Sequence, residues 1–129
     1  LACDLRIAAD DVALSLPEPS RGLVPDLGGT HPLVRAVGYS RALEICLTGR
    51  TVRAAEAHRL GLVTMVVQAG DLDAAVADCV EAILGTPHAA ASEVKALLSG
   101  ALGRTAEQQL AVEREAQVRR LKDGLGIGD

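Results

Sequence analysis

Residues 17–30, with the sequence PEPSRGLVPDLGGT, are rich in proline and glycine and carry two carboxylates, Glu18 and Asp26. Proline fixes φ and removes a backbone donor, whereas glycine lets two stretches of backbone approach closely. This stretch fits neither a regular helix nor a central strand, so we expect an irregular segment between the flanking elements. It is either a surface turn or the lining of a reaction site.

The rest of the chain is mostly aliphatic. Of its 129 residues, 49% are hydrophobic and 23% are charged, which favours a folded domain with a core. Tyr39 is the only aromatic residue, so the core has to be built from Leu, Val, Ile and Ala. The lack of aromatic stacking platforms and the net charge of −4 argue against a nucleic-acid partner.

The three cysteines, Cys3, Cys46 and Cys79, are widely spaced and show no metal-ligand pattern, so we expect no metal site. We interpret them as small buried hydrophobes in a reducing compartment, and we expect a cytoplasmic protein. No apolar run reaches the ~18 residues that a membrane span needs, so no span is expected. The chain begins with LACD, in apolar and extended sequence, and we expect it to be part of a longer protein.

The first 70 residues are predicted to mix strands, turns and short helices, and the remainder to be helical. The predicted elements are strands at 1–8 and 12–16, helices at 31–37, after Ser40 and at 53–60, and a strand within 62–67. Asp10 and Asp11 are expected to form the turn between the first two strands. Thr30 and Ser40 are expected to be N-caps, and Gly38 and Gly61 to end helices.

Three further helices are predicted by apolar residues that recur with a helical period. We expect them to begin at Asp71, at Thr86-Pro87 and at Thr105, where Thr105 and Gln108 form a capping box for a helix that ends near Gly124. The division suggests an α/β region over 1–70 that carries the Glu18 segment, and a helical region over 71–129. The last helices have an apolar stripe that must pack either on the α/β region or on a neighbouring subunit.

The order of these pieces resembles the enoyl-CoA hydratase/isomerase, or crotonase, superfamily. The matching segments cover nearly the whole chain and are ACDLRIAADDVALSLPE (2–18), GLVPDLGGT (22–30), LVRAVGYSRALEICLTGR (33–50), AAEAHRLGLVTMVV (54–67) and TPHAAASEVKALL (86–98). The resemblance implies an α/β fold of repeated β-β-α turns wound into a spiral, followed by helices that form a trimer or hexamer. It also implies that the first half of the spiral, with the oxyanion hole and one catalytic glutamate, lies upstream of Leu1.

Members of this superfamily bind acyl-CoA thioesters and stabilise an enolate anion with two backbone N–H groups. The implied substrate is therefore an acyl-CoA thioester, with coenzyme A as part of the substrate and no separate cofactor. Glu18 matches the second catalytic glutamate of the hydratases, which delivers a proton to C2 while the other glutamate activates water. The alternative is that Glu18 is an ordinary turn carboxylate.

Asp26 stands where many hydratases have glycine, in a turn that contacts the catalytic water. An aspartate there resembles the dienoyl-CoA isomerases, which also keep a glutamate eight residues earlier, and the chlorobenzoyl-CoA dehalogenases. The alternative is an Asx-type turn before Leu27 and Gly28. The resemblance implies that the neighbouring residues of this turn, Pro25, Leu27, Gly28 and Gly29, contact the substrate.

Three functions remain open from the sequence. The first is an enoyl-CoA hydratase that adds water across the C2=C3 double bond. The second is an enoyl-CoA or dienoyl-CoA isomerase in which Glu18 and Asp26 move a proton between carbons. The third is a non-catalytic oligomerisation module, because an enolate cannot be held without an oxyanion hole.

Overall fold

The computed structural model describes residues 1–126, and its contacts separate a first unit, Leu1–Asp78, from a second unit that begins at Cys79. The first unit contains four short strands: β1 (Ile7–Ala9), β2 (Ala13–Leu14), β3 (Val52–Arg53) and β4 (Met65–Val67). The strands are shorter than predicted: residues 1–6 lie outside any strand, although the Arg6 carbonyl accepts a hydrogen bond from the Thr64 N–H at 2.7 Å.

The strands pair across the sequence rather than with their nearest neighbours. β1 pairs in parallel with β4, with Ile7 opposite Met65, and β2 pairs antiparallel with β3, with Leu14 opposite Val52. The predicted turn at Asp10 and Asp11 does separate β1 from β2, but these two strands belong to different sheets. The β2–β3 pair brings the start of the Glu18 segment next to the turn that precedes β3.

Three helices complete the first unit: α1 (Thr30–Val37), α2 (Tyr39–Thr48) and α3 (Ala54–Arg59). The predicted N-caps are wrong, because Gly29 precedes α1, Gly38 precedes α2, and neither helix has a side-chain cap. Gly38, with φ of 79°, ends α1 as predicted and starts α2 directly, which leaves Ser40 inside the helix.

The core of the first unit is aliphatic, as the composition predicted. Its buried members come from the strands, the helices and the segment after α3: Ala8, Leu33, Val37, Ala42, Ile45, Val52, Ala57, Leu62 and Val63. Burying a large aliphatic side chain stabilises a fold by about 1.5–3 kcal/mol. Leu33 of α1 and Ile45 of α2, which are 2% and 3% exposed, therefore anchor the helices that follow the Glu18 segment.

The remaining helices are α4 (Leu72–Leu84), α5 (His88–Ala101) and α6 (Ala106–Leu125). A 3₁₀ turn that ends at Asp71 precedes α4, and Pro87 is the residue before α5 rather than its first residue. The predicted capping box is confirmed: the Gln108 N–H donates to Thr105 Oγ1 and the Thr105 N–H donates to Gln108 Oε1. The last helix continues past Gly124 and ends at Gly126, which has a left-handed conformation.

Candidate active site

Glu18 begins a 3₁₀ turn, Glu18–Arg21, that follows β2. The carbonyl of Pro17 accepts hydrogen bonds from the Ser20 N–H at 3.1 Å and from the Ser20 hydroxyl at 2.7 Å. The carbonyl of Glu18 accepts a further bond from the Leu23 N–H at 3.1 Å. Local hydrogen bonds therefore fix the main chain on both sides of the Glu18 side chain, as a reaction site requires.

The carboxylate of Glu18 is half-buried, and its Oε2 atom is shielded from solvent. Within residues 1–126 this oxygen has no hydrogen-bond partner. A buried polar atom without a partner is costly and uncommon, so it indicates a place where water or a ligand completes the hydrogen bonding. This environment differs from that of an exposed carboxylate such as Asp26.

Cys46 on α2 is close enough to Glu18 for the two groups to interact electrostatically. Burial raises the pKa of the Cys46 thiol, and the negative charge of Glu18 raises that pKa further. The prediction that the cysteines are buried is wrong for Cys3, which is exposed, whereas Cys46 and Cys79 are half-buried. All three are free thiols, and the helical face shared by Leu43, Cys46 and Leu47 was the signal that α2 presents Cys46 toward this segment.

An apolar groove of about 340 Å³ is lined in part by Pro19, the residue after Glu18, but not by Glu18 itself. It is lined by the residue after Glu18, by the end of the irregular segment and by α1 and α2: Pro19, Leu23, Val24, Pro25, Thr30, Leu33, Val34, Tyr39, Ala42, Leu43, Cys46 and Leu47. The volume is within the range of ligand pockets, which are mostly apolar with a few polar groups at defined places. A carboxylate beside an apolar groove is suited to proton transfer to or from a carbon atom of a bound molecule.

Asp26, Leu27 and Gly28 lie at the surface of the chain, and Leu27 is 94% exposed. In the described part of the chain, no hydrogen bond or ion pair involves the Asp26 carboxylate, so an Asx-type turn does not account for it. Gly28 has φ of 76° and open space around it, which leaves its backbone accessible.

The other two residues of this turn are half-buried. Pro25 lines the apolar groove. Gly29 lies against Leu16, whose Cδ2 would be 3.9 Å from a methyl group on Gly29. The turn is thus tied to the chain just before Glu18, but no described hydrogen bond joins Glu18 to Asp26.

A second, larger cavity of about 680 Å³ is lined by residues 6–9 and 11–16 around β1 and β2, by core residues and by Leu1 and Leu72. None of residues 17–30 lines it, whereas several of them line the groove, so we do not assign this cavity to the candidate site. Over residues 1–126, no group of three or more His, Cys, Asp or Glu side chains could hold a metal ion. In the same range, no helix has both the length and the hydropathy needed to cross a membrane.

Comparison with known proteins supplies the family. The model of the enoyl-CoA hydratase/isomerase family matches residues 1–123. A Mycobacterium leprae protein named as a probable enoyl-CoA hydratase is 50% identical over 72 residues, which cover 56% of this chain and 28% of that relative. A Bacillus subtilis protein named for enoyl-CoA hydratase/isomerase, YngF, is 37% identical over 116 residues, which cover 90% of this chain and 45% of YngF.

The comparison with solved structures gives the same family. A crystal structure of a Thermobifida fusca protein named as an enoyl-CoA hydratase, in complex with acetoacetyl-CoA, superposes with a TM-score of 0.90 and 50% identity. The superposition covers 94% of this chain and 48% of that protein, so the chain spans about half the length of the structure it matches. The predicted α/β, crotonase-like fold class is therefore confirmed. The chain belongs to the enoyl-CoA hydratase/isomerase family.

Proposed function

We propose that the protein is an acyl-CoA enzyme that hydrates a 2-enoyl-CoA thioester, with Glu18 as a catalytic acid–base residue. The observation that carries this proposal is the shielded, unpartnered Oε2 atom of Glu18, in a segment whose next residue, Pro19, lines an apolar groove. The family match and the acetoacetyl-CoA complex of the Thermobifida fusca relative support the choice of a thioester substrate. Pro25, Gly28 and Gly29 are proposed to contact the acyl group, with Leu27 beside them.

In the proposed reaction, water adds across C2=C3 of the thioester. The oxygen of water bonds to C3, a base removes its proton, and the π electrons pass to the thioester oxygen as an enolate-like anion. Glu18 in its protonated form then delivers a proton to C2, and the thioester carbonyl reforms. The water-activating base and the N–H groups that hold the anion are expected in the part of the relatives' length that this chain does not span.

An isomerase is the second candidate, and the environment of Asp26 favours it. Its carboxylate is exposed and makes no described hydrogen bond, so it is available to a substrate. Glu18 and Asp26 would then remove a proton from one carbon of the acyl chain and return it to another. We assign the helical region over 71–129 to self-association in either case, as a homotrimer or hexamer.

The experiment compares Glu18→Gln, Asp26→Gly and the control Glu81→Gln in the natural protein. Turnover is measured with a trans-2-enoyl-CoA and with a 3-enoyl-CoA or dienoyl-CoA. Glu18→Gln should lower kcat by about 10²–10⁴-fold, because a positioned acid–base group contributes that much. Glu81 is exposed on α4, and its substitution should leave kcat unchanged.

Asp26→Gly separates the two candidates. A hydratase should keep its activity on the trans-2-enoyl-CoA, whereas an isomerase should lose its activity on the 3-enoyl-CoA or dienoyl-CoA. If Glu18→Gln retained full turnover on both substrate classes, the acid–base assignment would be wrong. The absence of turnover by the unsubstituted protein would instead favour the non-catalytic module.

A further inference from the structure

The turn Thr48-Gly49-Arg50 joins α2 to β3 and contacts the chain immediately before Glu18. Gly49 ends α2 in a left-handed conformation with φ of 59°, and its N–H donates to the carbonyl of Ile45 at 3.1 Å. A methyl group on Gly49 would lie 3.7 Å from Pro17 Cα and 3.8 Å from the carbonyl oxygen of Leu16. The two backbones therefore pass each other with space for about one methyl group between them.

The pairing of β2 with β3 also places the turn at Gly49 beside the chain at Pro17. Ala13 lies opposite Arg53 and Leu14 lies opposite Val52 in an antiparallel register. Continuing that register beyond the hydrogen-bonded residues places Pro17 opposite Gly49. The position of the turn thus fixes where the chain enters the 3₁₀ turn that presents the Glu18 side chain.

Arg50 holds this turn through two bidentate ion pairs. To Glu44 of α2, Arg50 Nε donates at 2.6 Å and Nη2 at 3.0 Å. To Glu56 of α3, Arg50 Nη1 donates at 2.9 Å and Nη2 at 2.8 Å. Hydrogen bonding to Arg50 lowers the pKa of Glu56, which keeps this carboxylate charged at neutral pH.

The two ion pairs of Arg50 restrain the geometry of the turn more than they stabilise the fold. The side chain of Arg50 is 35% exposed, and those of Glu44 and Glu56 are 46% and 31% exposed. Exposed ion pairs contribute little to the free energy of unfolding because water screens them. The planar fork of arginine nevertheless fixes direction, and a displacement of about 1 Å at a reacting group can cost about 10²-fold in rate.

We propose that Arg50 is a positioning residue for Glu18. Its two bidentate ion pairs, with Glu44 and Glu56, fix the turn at Gly49, and this turn sets the position of the Glu18 carboxylate. Arg50 acts through the Leu16–Pro17 backbone and does not touch the substrate. The inference rests on the proposed catalytic role of Glu18, but the position of Glu18 can also be measured without turnover.

The kinetic test uses Arg50→Lys in the natural protein, with Arg119→Lys as the matched control. Lysine keeps the charge but cannot make the bidentate contacts. Arg119 makes a similar bidentate pair with Glu93 in the second unit, away from the Glu18 segment in sequence and fold unit. We expect Arg50→Lys to lower kcat at least about tenfold with KM changed less than about twofold, and Arg119→Lys to leave kcat unchanged.

The second test uses the Cys46 thiol as a reporter of the Glu18 charge. In a Cys3→Ser, Cys79→Ser background, the pH dependence of the alkylation of Cys46 by iodoacetamide gives its pKa. Removing the charge with Glu18→Gln should lower the pKa of Cys46, since that charge helps to raise it. Arg50→Lys should lower the pKa as well, because the released carboxylate moves toward solvent.

The double substitution decides how Arg50 acts. In the Glu18→Gln background, Arg50→Lys should produce no further change in the pKa of Cys46, whereas general loosening of α2 would produce the same change in both backgrounds. An equal change of the Cys46 pKa in both backgrounds would overturn the positioning role. Equal kcat values for Arg50→Lys and Arg119→Lys would overturn it as well. The proposed function fails separately, if Glu18→Gln shifts the pKa of Cys46 yet leaves kcat unchanged.

Discussion

Glu18 and Asp26 are eight residues apart, yet they occupy different environments. One oxygen of Glu18 is shielded from solvent without a partner, whereas Asp26 is exposed and its carboxylate is solvated. Because burial of an unpartnered carboxylate oxygen is costly, the fold maintains it only with compensation elsewhere. The contrast supports a chemical role for Glu18 in either proposed reaction and makes Asp26 the residue whose substitution tells the two reactions apart.

Gly61 is a single residue whose backbone conformation gives a testable cost. It follows α3 with φ of 77°, and a methyl group there would lie 3.6 Å from the carbonyl oxygen of Ala36. The space is adequate, so the cost of Gly61→Ala comes from the left-handed conformation and should be about 1–2 kcal/mol of unfolding free energy. Urea unfolding of the natural protein measures it.

The control for Gly61→Ala is Gly70→Ala. Gly70 has no positive φ and no atom within 4 Å of the added methyl group. Its substitution should leave the protein equally stable, or about 0.5 kcal/mol more stable, because alanine restricts the unfolded chain. Equal losses at both positions would show that backbone conformation is not the cause.

At the scale of elements, α5 and α6 are joined by an ion pair that makes stability depend on pH. Arg119 Nε and Nη2 each lie 2.9 Å from one oxygen of Glu93, and Arg120 Nε lies 3.8 Å from the same carboxylate. Hydrogen bonding to Arg119 lowers the pKa of Glu93 in the folded protein. The unfolded chain has the ordinary glutamate value of about 4.3.

The sign of this pH dependence follows from the lowered pKa. The pair stabilises the fold above the unfolded pKa of Glu93, and the contribution is lost as the pH falls through the lower folded value. Glu93→Gln should therefore lower the unfolding midpoint in urea at pH 7, and the difference from the parent should shrink below about pH 4. Glu81→Gln, which removes an exposed carboxylate of α4 without a described ion pair, should show no such loss. A difference that stayed constant from pH 7 to pH 3 would contradict the assignment.

Local sequence patterns predicted most of the helices, whereas the strand pairings and two of the helix caps were not predicted correctly. The capping box at Thr105 and Gln108 is set by residues three positions apart, so the sequence could specify it. The pairing of Ile7 with Met65 depends on contacts far apart in sequence, which is why the strands were predicted too long and their partners were not predicted. Thr30 and Ser40 were assigned as caps from residue type alone, although two glycines supply the helix boundaries.

The candidate site, too, could be predicted only in part from local sequence patterns. The resemblance pointed to Glu18, but its buried oxygen depends on α2 packing against the segment, and no local pattern in residues 17–30 encodes that contact. Arg50 was missed as well, although it stands six residues from Glu44 and six from Glu56. That symmetric spacing of opposite charges was the available signal. It becomes informative only once the turn at Gly49 brings the three side chains together.

At the scale of the whole molecule, the helices that begin at Leu72 leave much of their apolar surface uncovered. On α6 the apolar side chains that are 47–70% exposed share one face of the helix: Leu110, Val118, Leu121 and Leu125. Val94 and Leu98 on α5 are 53% and 67% exposed. Exposed apolar surface of this kind is typical of protein–protein interfaces and is consistent with the proposed self-association.

We therefore expect Leu121→Glu to disrupt self-association of the natural protein. Leu121 lies within the exposed apolar face of α6, and a charge buried at an interface without a partner is strongly unfavourable. Gln68→Glu, at an exposed polar position outside α6, adds the same charge and should leave the assembly intact. Sedimentation equilibrium should give a mass of a trimer or hexamer for the parent and the control, and a smaller mass for Leu121→Glu. Circular dichroism should show unchanged helix content in all three, so that loss of association is separated from unfolding. If the Leu121→Glu protein kept the parent's mass, this face of α6 would not form the interface, and the assignment of self-association to it would have to be abandoned.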